Sequence, residues 1–362
     1  MAHWVRRIPF QVDIAGIIDI MGSSLYSRVD TPIRELIQNA HDAIQRRCAA
    51  DLGFRGRIEI RQDAAAHTLS FTDNGVGLSS DDAEKYLSTL GVGVTGMIKR
   101  ASGMTTSSDA SDGGSLISQF GVGLFSAFML AERLVVESRR SDCPEGVRWE
   151  AGAGTDIELS GIDREEPGTT VTLHLKPQYR ALAEVEEPVE QAVREFADFL
   201  NVPIHFNGAT ARLNVINVAW FDPTPDREAV ELAIEEYFDE TPLDVIPLRM
   251  ETPASIAGAL YVTPQRTPGF AGEPVVTVTV RRMVISRRIQ GLLPAWGSFF
   301  RGVLELQDCA PTASREDLVR NEAFDRVRET LETRLYEHVE KLAASDPSQF
   351  ESLLTWHRYT LV

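Results

Sequence analysis

The sequence lacks several features that mark whole classes of protein. Its three cysteines, Cys48, Cys143 and Cys309, are odd in number and far apart, which excludes a disulfide framework and gives no metal-ligand spacing. No apolar run approaches the roughly 20 residues that a membrane-spanning helix requires, and the first residues show no signal-peptide core. We therefore expect a cytoplasmic protein with reduced thiols and no membrane partner.

Positive charge is also scarce. The chain of 362 residues has 36 Lys and Arg against 53 Asp and Glu, which gives a formal net charge of -17. This balance argues against a surface that neutralises nucleic-acid phosphates, so we expect no nucleic-acid partner. The commonest phosphate-binding loop, Gly-x-x-x-x-Gly-Lys-Ser/Thr, is missing from the sequence as well. A nucleotide would have to bind in another kind of site.

Local patterns in the first half predict helices that alternate with antiparallel strands. Asp30-Thr31-Pro32 is typical of a helix start, with a side-chain oxygen for the first amides, and the helix is expected to reach about Arg47. Strands are predicted at 57–61, 68–72, 134–139, 147–151 and 169–175, and further helices at 80–90 and 124–130. This succession predicts an α/β two-layer sandwich rather than a parallel doubly wound sheet.

A change of composition near Lys176-Pro177 indicates a domain boundary at about 177–183. The interpretation gives two domains, residues 1–180 and 181–362. The second domain is predicted to open with a helix at 182–200, to contain strands at 254–262, 275–281 and 302–306, and to end with helices from 321 to 344 and after Ser345-Asp346-Pro347. We expect it to be α/β as well.

One face of the first long helix and two groups of glycines are candidates for a functional role. Glu35, Asn39 and Asp42 share the side opposite the apolar stripe, and the simplest interpretation is that this side faces water. Glycines at 91, 93 and 96 and at 121 and 123 could let backbone amides approach an anion, although they could equally be structural. The polar stretch 91–115 is long enough to be functional or mobile.

Four sequence segments, taken together, indicate a function more specifically than the helix face or the glycines do alone. They are ELIQNAHDA (35–43), DNGVG (73–77), QFGVG (119–123) and GTTVT (168–172), in the order and approximate spacing of the GHKL ATPase superfamily. The segment SQFGVGLFSAF (118–128) resembles the heat-shock protein 90 chaperones in particular, and so do VRRMVI (280–285), LLPAW (292–296) and SREDL (314–318). The resemblance covers most of residues 10–345. It implies a Bergerat-type ATP-binding domain followed by an α/β middle-domain segment.

The resemblance implies an ATP/ADP site with Mg²⁺. Asn39 would hold the metal, and Glu35 would be the catalytic carboxylate that activates water. Asp73 would accept a hydrogen bond from the adenine amino group, with Gly77 and Thr169 beside it. A carboxylate there selects adenine, because guanine presents a carbonyl oxygen at the same edge.

Other residues enter the expected site through the same resemblance. The remaining expected nucleotide contacts are Asp42, Gly91, Gly93, Phe120, Gly121, Val122 and Gly123. The stretch 91–119 resembles a mobile lid, and Arg315 resembles the arginine that the second domain lends to the γ-phosphate. The alternative for Arg315 is a salt bridge with Glu316 or Asp317 at a helix start.

The chain also departs from the family pattern. Its lid begins LGVGV (90–94) without the usual lysine, and Thr312 and Val319 replace polar neighbours of the arginine, so we expect slow turnover. The carboxy-terminal dimerisation domain of the family does not fit into the few residues after Ala344. A homodimer is therefore expected only if the full-length protein has a further domain.

The expected function is that of an ATP-dependent molecular chaperone, whose lid and clamp close on non-native client proteins as ATP is bound and hydrolysed. Co-chaperones are a further expected class of partner. An alternative keeps the pocket but makes the protein a nucleotide-gated binding or scaffold protein with little hydrolysis. The mismatch-repair and type II topoisomerase ATPases fit less well, since they lend a lysine from the second domain and the acidity of this chain opposes DNA binding.

Overall fold

A computed structural model of the protein describes residues 28–88, 123–152, 157–265, 274–312 and 315–361. These residues divide into two compact units, the first ending at Val189 and the second beginning at Glu190. Both units combine helices with sheets, which confirms the α/β fold class. Within the described ranges, no helix combines the length and the apolar character that crossing a membrane demands.

The first unit contains one long helix and a six-strand antiparallel array. Its elements are α1 Thr31–Ala50, β1 Ile58–Asp63, β2 Thr68–Asp73, α2 Ser80–Asp82 with a π-helical turn Ala83–Leu87, α3 Gly123–Ser126 with a 3-10 turn Ala127–Met129, β3 Ala131–Arg139, β4 Gly146–Gly152, β5 Ile157–Ile162 and β6 Gly168–Leu175. The strands lie in the order β5-β4-β3-β6-β2-β1. Each pairs antiparallel with its neighbour.

The helix α1 rests on this array as its apolar stripe predicts. Ile33, Ile37 and Ile44 are buried, and α1 contacts β1, β2 and β6. The helix begins at the predicted residue, but Asp30 does not cap it with its side chain. The carboxylate of Asp30 instead lies 2.7 Å from Arg28, and a charged partner of this kind competes with the first amides for the same oxygens.

The second unit is built on a five-stranded mixed sheet. Its elements are α4 Glu187–Phe196, which begins in the first unit, β7 Ile204–Phe206, α5 Arg227–Phe238, β8 Asp244–Met250, β9 Ile256–Val262, β10 Val275–Val280, β11 Met283–Ser286, β12 Phe300–Leu306, α6 Glu322–Ser345 and α7 Pro347–Leu361. The sheet order is β11-β10-β12-β9-β8. Only β10 and β12 pair in parallel.

Both faces of this sheet are covered. One face packs on leucines of α6, among them Leu331 and Leu335, and the other on an aromatic cluster around Phe199 and Trp220. Every residue of β9 is buried. A strand covered on both sides has no polar alternation, which explains its continuous apolar sequence.

The helix predicted at 182–200 is only partly correct. A 3-10 turn occupies Pro177–Ala183, and the α-helix runs from Glu187 to Phe196. Pro188 explains the late start, because proline lacks an amide hydrogen and is tolerated only in the first turn of a helix.

Candidate functional site

The polar side of α1 is buried, which contradicts its interpretation as a solvent-facing surface. Glu35 is 3% exposed and Asp42 is 2% exposed, while Asn39 stays partly exposed. Helix α3 and the turn after it contact α1, in addition to the sheet. Basic side chains lie near both carboxylates: Arg34 Nη2 is 3.8 Å from Glu35 and His41 Nδ1 is 3.6 Å from Asp42.

Asp73, the last residue of β2, is a second buried carboxylate. It is 7% exposed, and one of its oxygens accepts the amide of Gly75 at 2.7 Å. Burial raises the pKa of Asp73 to about 7, although the amides of Gly75 and Thr169 and the charges of Arg164 and Arg46 act in the opposite direction. Asp73 is thus a hydrogen-bond acceptor held out of water and close to its point of protonation at neutral pH.

The sheet register places two hydroxyl groups beside Asp73. Asp73 pairs with Thr169 across β2 and β6, and Thr169 pairs with Ser138 across β6 and β3. The Ser138 hydroxyl lies 2.9 Å from that of Thr169 and accepts the amide of Leu78 at 2.8 Å. Sequence reasoning missed Ser138, because it is one small polar residue in a strand that also carries several charged residues.

The DNGVG loop after β2 is fixed against α1. The amide of Val76 donates to the carbonyl of Ala43 at 3.0 Å, and Arg47 donates to the carbonyl of Asn74 at 2.7 Å. A Cβ at Gly75 would lie 2.5 Å from the carbonyl carbon of Ala43, so only glycine fits there. The loop therefore holds Asp73 close to the last turns of α1.

Gly77 has a structural explanation of its own. Its φ is +69°, and a Cβ would lie 2.0 Å from the carbonyl oxygen of Arg139. Both the positive φ and the close approach require glycine. This structural requirement does not test the predicted contact between Gly77 and a purine ring, which stays a prediction.

Three candidate residues, Glu35, Asn39 and Asp73, are arranged in a row along the axis of α1, and we call this row the track. Asn39 lies about one turn and Glu35 about two turns before Ala43, which corresponds to about 6 Å and about 12 Å along the helix axis. The loop that carries Asp73 is bonded to Ala43. Asp73 therefore lies towards one end of the track, Glu35 at the other, and Asn39 between them.

Arg46 is a further charged group that the sequence did not single out. Burial lowers the pKa of Arg46, against the attraction of Asp42, Asp73 and Asp82. Its buried Nε has no hydrogen-bond partner among the described residues. From the sequence alone it looked like an ordinary basic residue near a helix end, where such residues interact favourably with the dipole.

Arg315 belongs to the second unit. It is 3% exposed and sits in a tight turn with a φ of +56°, where its amide donates to the carbonyl of Thr312 at 2.9 Å. The helix start proposed as its alternative setting is wrong, because α6 begins only at Glu322. Asp317 lies 3.0 Å from Arg320.

Several expected contacts fall outside the described residues. These are Gly91, Gly93, Phe120, Gly121 and Val122, together with the expected lid at 91–119. Gly123 is described, as the first residue of α3.

The donor set fits a metal bound together with a nucleotide better than a metal bound alone. Among the described residues, no group of three or more His, Cys, Asp or Glu side chains could hold a metal ion. The half-exposed amide oxygen of Asn39 can supply one hard ligand, as Mg²⁺ prefers, while phosphate oxygens and water supply the others. Glu35 offers a carboxylate of the kind that accepts a proton from water.

Comparisons with known proteins cover nearly the whole chain. A chaperone protein HtpG of Rhodopseudomonas palustris (strain BisA53) is 32% identical over 375 residues, which span 95% of this chain and 58% of that relative. The mitochondrial TNF receptor-associated protein 1 homolog of Dictyostelium discoideum is 30% identical over 97% of this chain and 50% of its own length. A chaperone protein HtpG of Methylobacterium nodulans is 31% identical over 97% of this chain and 59% of its own length. The chain thus spans between half and three fifths of these relatives, and no family model matches it.

Proposed function

This chain belongs to the heat-shock protein 90 family, as its motifs indicated, and we propose that it is an ATP-dependent molecular chaperone. The names of its relatives support a chaperone role. The observation that carries the proposal is the buried carboxylate of Asp73, bonded into the sheet beside Thr169 and placed on the same track as Asn39 and Glu35. In this proposal the first unit is the nucleotide-binding sandwich of the GHKL superfamily.

Asp73 recognises the adenine base. Its carboxylate accepts a hydrogen bond from the exocyclic amino group, and the hydroxyl of Thr169 lies next to that contact. Guanine would face the carboxylate with a carbonyl oxygen, so that two buried acceptors would oppose each other without a proton between them. Asp42 and Gly77 line the same end of the site.

Asn39 and Glu35 act at the phosphate end. Asn39 would hold Mg²⁺, which offsets the phosphate charge when it is bound. Glu35 orients a water molecule and accepts its proton. The guanidinium of Arg34 lies 3.8 Å from the carboxylate of Glu35.

The remaining parts of the proposal come from the family resemblance. The segment 91–119 is the lid, Arg315 contacts the γ-phosphate, and the boundary between the nucleotide-binding domain and the middle-domain segment lies near residue 180. Client proteins in non-native states are the partners, with co-chaperones beside them, in the cytoplasm. We include a homodimer only for a protein that carries a further carboxy-terminal domain.

Replacing the catalytic carboxylate tests this function. We expect Glu35→Gln to reduce phosphate release by about 100-fold or more, the size of effect typical of a general base, while ATP still binds. Glu158→Gln, at an exposed position of β5, is the matched control and should change neither quantity. Calorimetric ATP binding and a phosphate-release assay measure the two effects. A protein that binds no adenine nucleotide would contradict the proposal.

A scaffold protein with little hydrolysis is the second candidate. The absence of a lysine in LGVGV (90–94) favours it, because one phosphate-facing cation of the family is missing. ATP binding by the unmutated chain without measurable phosphate release would identify this case.

A further inference from the structure

A cleft in the second unit lies far along the chain from the residues of the nucleotide site. It has a volume of about 350 Å³ and runs between strand β8, residues Ile246–Met250, and one face of helix α6. The helix contributes Arg334, Glu337, His338 and Lys341, which are spaced by three and four residues and therefore share a face. The expected ATP chemistry uses none of these groups.

The strand that forms one wall is an edge strand, but a second strand cannot extend the sheet there. β8 pairs with β9 on one side, and Pro247 must point away from that partner because it has no amide to donate. The amide of Val245, two residues earlier and on the same outer edge, already donates to the carboxylate of Asp244 at 2.9 Å. Of the outer positions Val245, Pro247 and Arg249, only Arg249 still offers an amide. Recognition in this cleft therefore depends on side chains.

The charged side chains of the cleft are mainly cationic. Arg334 and Lys341 flank a single carboxylate, Glu337, in a protein whose net charge is -17. Glu337 lies 3.0 Å from Arg334, but both are more than half exposed. An exposed pair of this kind contributes little to stability, so a ligand carboxylate can replace Glu337.

His338 is already engaged with the protein. Its Nε2 lies 2.6 Å from the carboxylate of Asp244, which is almost fully buried and also lies 2.6 Å from Arg227. This arrangement fixes the wall of the cleft between α6 and the start of β8. The binding groups are then the two exposed cations of the helix, Arg334 and Lys341.

The cations are spread along the cleft rather than gathered at one point. Arg334 and Lys341 are separated by about 10 Å along the helix axis, at a rise of about 1.5 Å per residue. An extended peptide advances about 3.3 Å per residue, so three to four of its residues span the same length. Several carboxylates in a row match this spacing better than one phosphate group does.

We propose that this cleft binds an acidic peptide segment in extended form, whose carboxylates are recognised by Arg334 and Lys341. The segment does not add a strand to the sheet. The proposal is independent of nucleotide binding, since all of its residues lie in the second unit.

Binding of a labelled hexapeptide of alternating Glu and Ala to the full chain, followed by fluorescence anisotropy, tests the proposal. We expect the double variant Arg334→Ala/Lys341→Ala to bind at least tenfold more weakly. Arg328→Ala is the matched control on the same helix, outside the cleft, and should leave the affinity unchanged. Raising the salt concentration from 50 to 300 mM should weaken binding at least threefold, because exposed charges are screened.

Three results would overturn the proposal. The acidic peptide could fail to bind, it could bind the double variant as well as the unmutated chain, or a control peptide with Gln in place of Glu could bind equally well. Inorganic phosphate is the remaining probe. If phosphate alone binds in a manner abolished by the double variant, and the peptide gains nothing over it, the cleft is a small-anion site and not a peptide site. Circular dichroism should show an unchanged fold, since the replaced side chains are exposed.

Discussion

The two units bury carboxylates in opposite ways. In the first, burial dominates at Asp73 and raises its pKa to about 7. In the second, burial at Asp244 would also raise the pKa, but His338 and Arg227 outweigh it and lower the pKa below its usual value. Glu305, also in the second unit, is 2% exposed and accepts three hydrogen bonds.

Asp244 and Glu305 are carboxylates that stabilise the fold, whereas Asp73 is the carboxylate that we propose to be available to a ligand. Asp244 joins α5, β8 and α6 through Arg227 and His338, and its charge is offset by them. Asp73 is held by backbone amides and has no cation within salt-bridge distance among the described residues. A buried acceptor with incomplete compensation costs stability in the free protein, which is common where a binding site needs it.

The largest change in stability is expected on replacement of Glu305. Its carboxylate accepts the amides of Arg281 and Arg282 and the hydroxyl of Thr279, which stabilises a hairpin turn whose two arginines both have positive φ. We expect Glu305→Ala to destabilise the five-stranded sheet by about 4 kcal/mol, because several buried donors lose their acceptor. Hydrogen exchange of β10 and β12 measures the change.

The exposed Glu251→Ala is the control for Glu305 and should be nearly neutral. Equal protection in the Glu305→Ala variant and the unmutated chain would mean that Glu305 does not support the turn.

Replacing Asp73, in contrast, is expected to stabilise the folded protein. Its pKa is about 7 in the folded protein and about 4 when unfolded, so folding favours the neutral form and stability falls as the pH rises from 4 to 7. Asp73→Asn removes this titration. The variant should be more stable at pH 8 by about 2 kcal/mol, with about 4 kcal/mol as the upper bound from the full shift, and the gain should disappear near pH 4. Hydrogen exchange of β2 and β6, corrected for intrinsic rates, measures it.

Adenine recognition should show the same titration. If the ionised form of Asp73 accepts the amino group, binding of adenosine should be about eightfold weaker at pH 6 than at pH 7.5, given a pKa of about 7. Adenosine is the suitable probe because it carries no phosphate that titrates in this range. Calorimetry at several pH values gives the affinity. A flat profile, or one unchanged in Asp73→Asn, would place the base elsewhere.

The smallest change in stability is expected on replacement of Asp244. Its folded pKa is lowered, so it contributes stability above about pH 4 that is lost as the pH falls through the folded value. Asp244→Asn should therefore destabilise the second unit at pH 7 by about 1 kcal/mol, because Arg227 is half exposed and retains water as a partner. The difference should vanish at low pH. Destabilisation that is equal at pH 3 and pH 7 would exclude the charge as its cause.

The sequence predicted those elements whose pattern is local. Strands β2 and β6 lie within one residue of their expected bounds, since apolar and polar residues alternate in both. Strand β8 escaped prediction because Pro247 in its centre argues against a strand, and only its edge position permits the proline. Strand β11 follows a turn of two arginines, which lacks the glycine or asparagine that usually announces a hairpin.

The site was predicted only in part, for a similar reason. Asp73 and Thr169 were identified through their motifs, and the register places them opposite each other. Ser138 and Arg46 join them through strand order and helix packing, which no short segment encodes. The burial of Glu35 does not follow from the local pattern either, because the spacing of apolar residues in α1 indicates only one buried stripe.

The order of strands in the first unit has a consequence for folding during synthesis. Strand β6 is inserted between β2 and β3, although it is the last of the three to be synthesised. Until it emerges from the ribosome, the two earlier strands each keep an open edge, and such edges are prone to wrong pairing. Asp73, Ser138 and Thr169 meet only when this final insertion is complete, so the proposed purine-binding end of the site can form only after the sheet has folded.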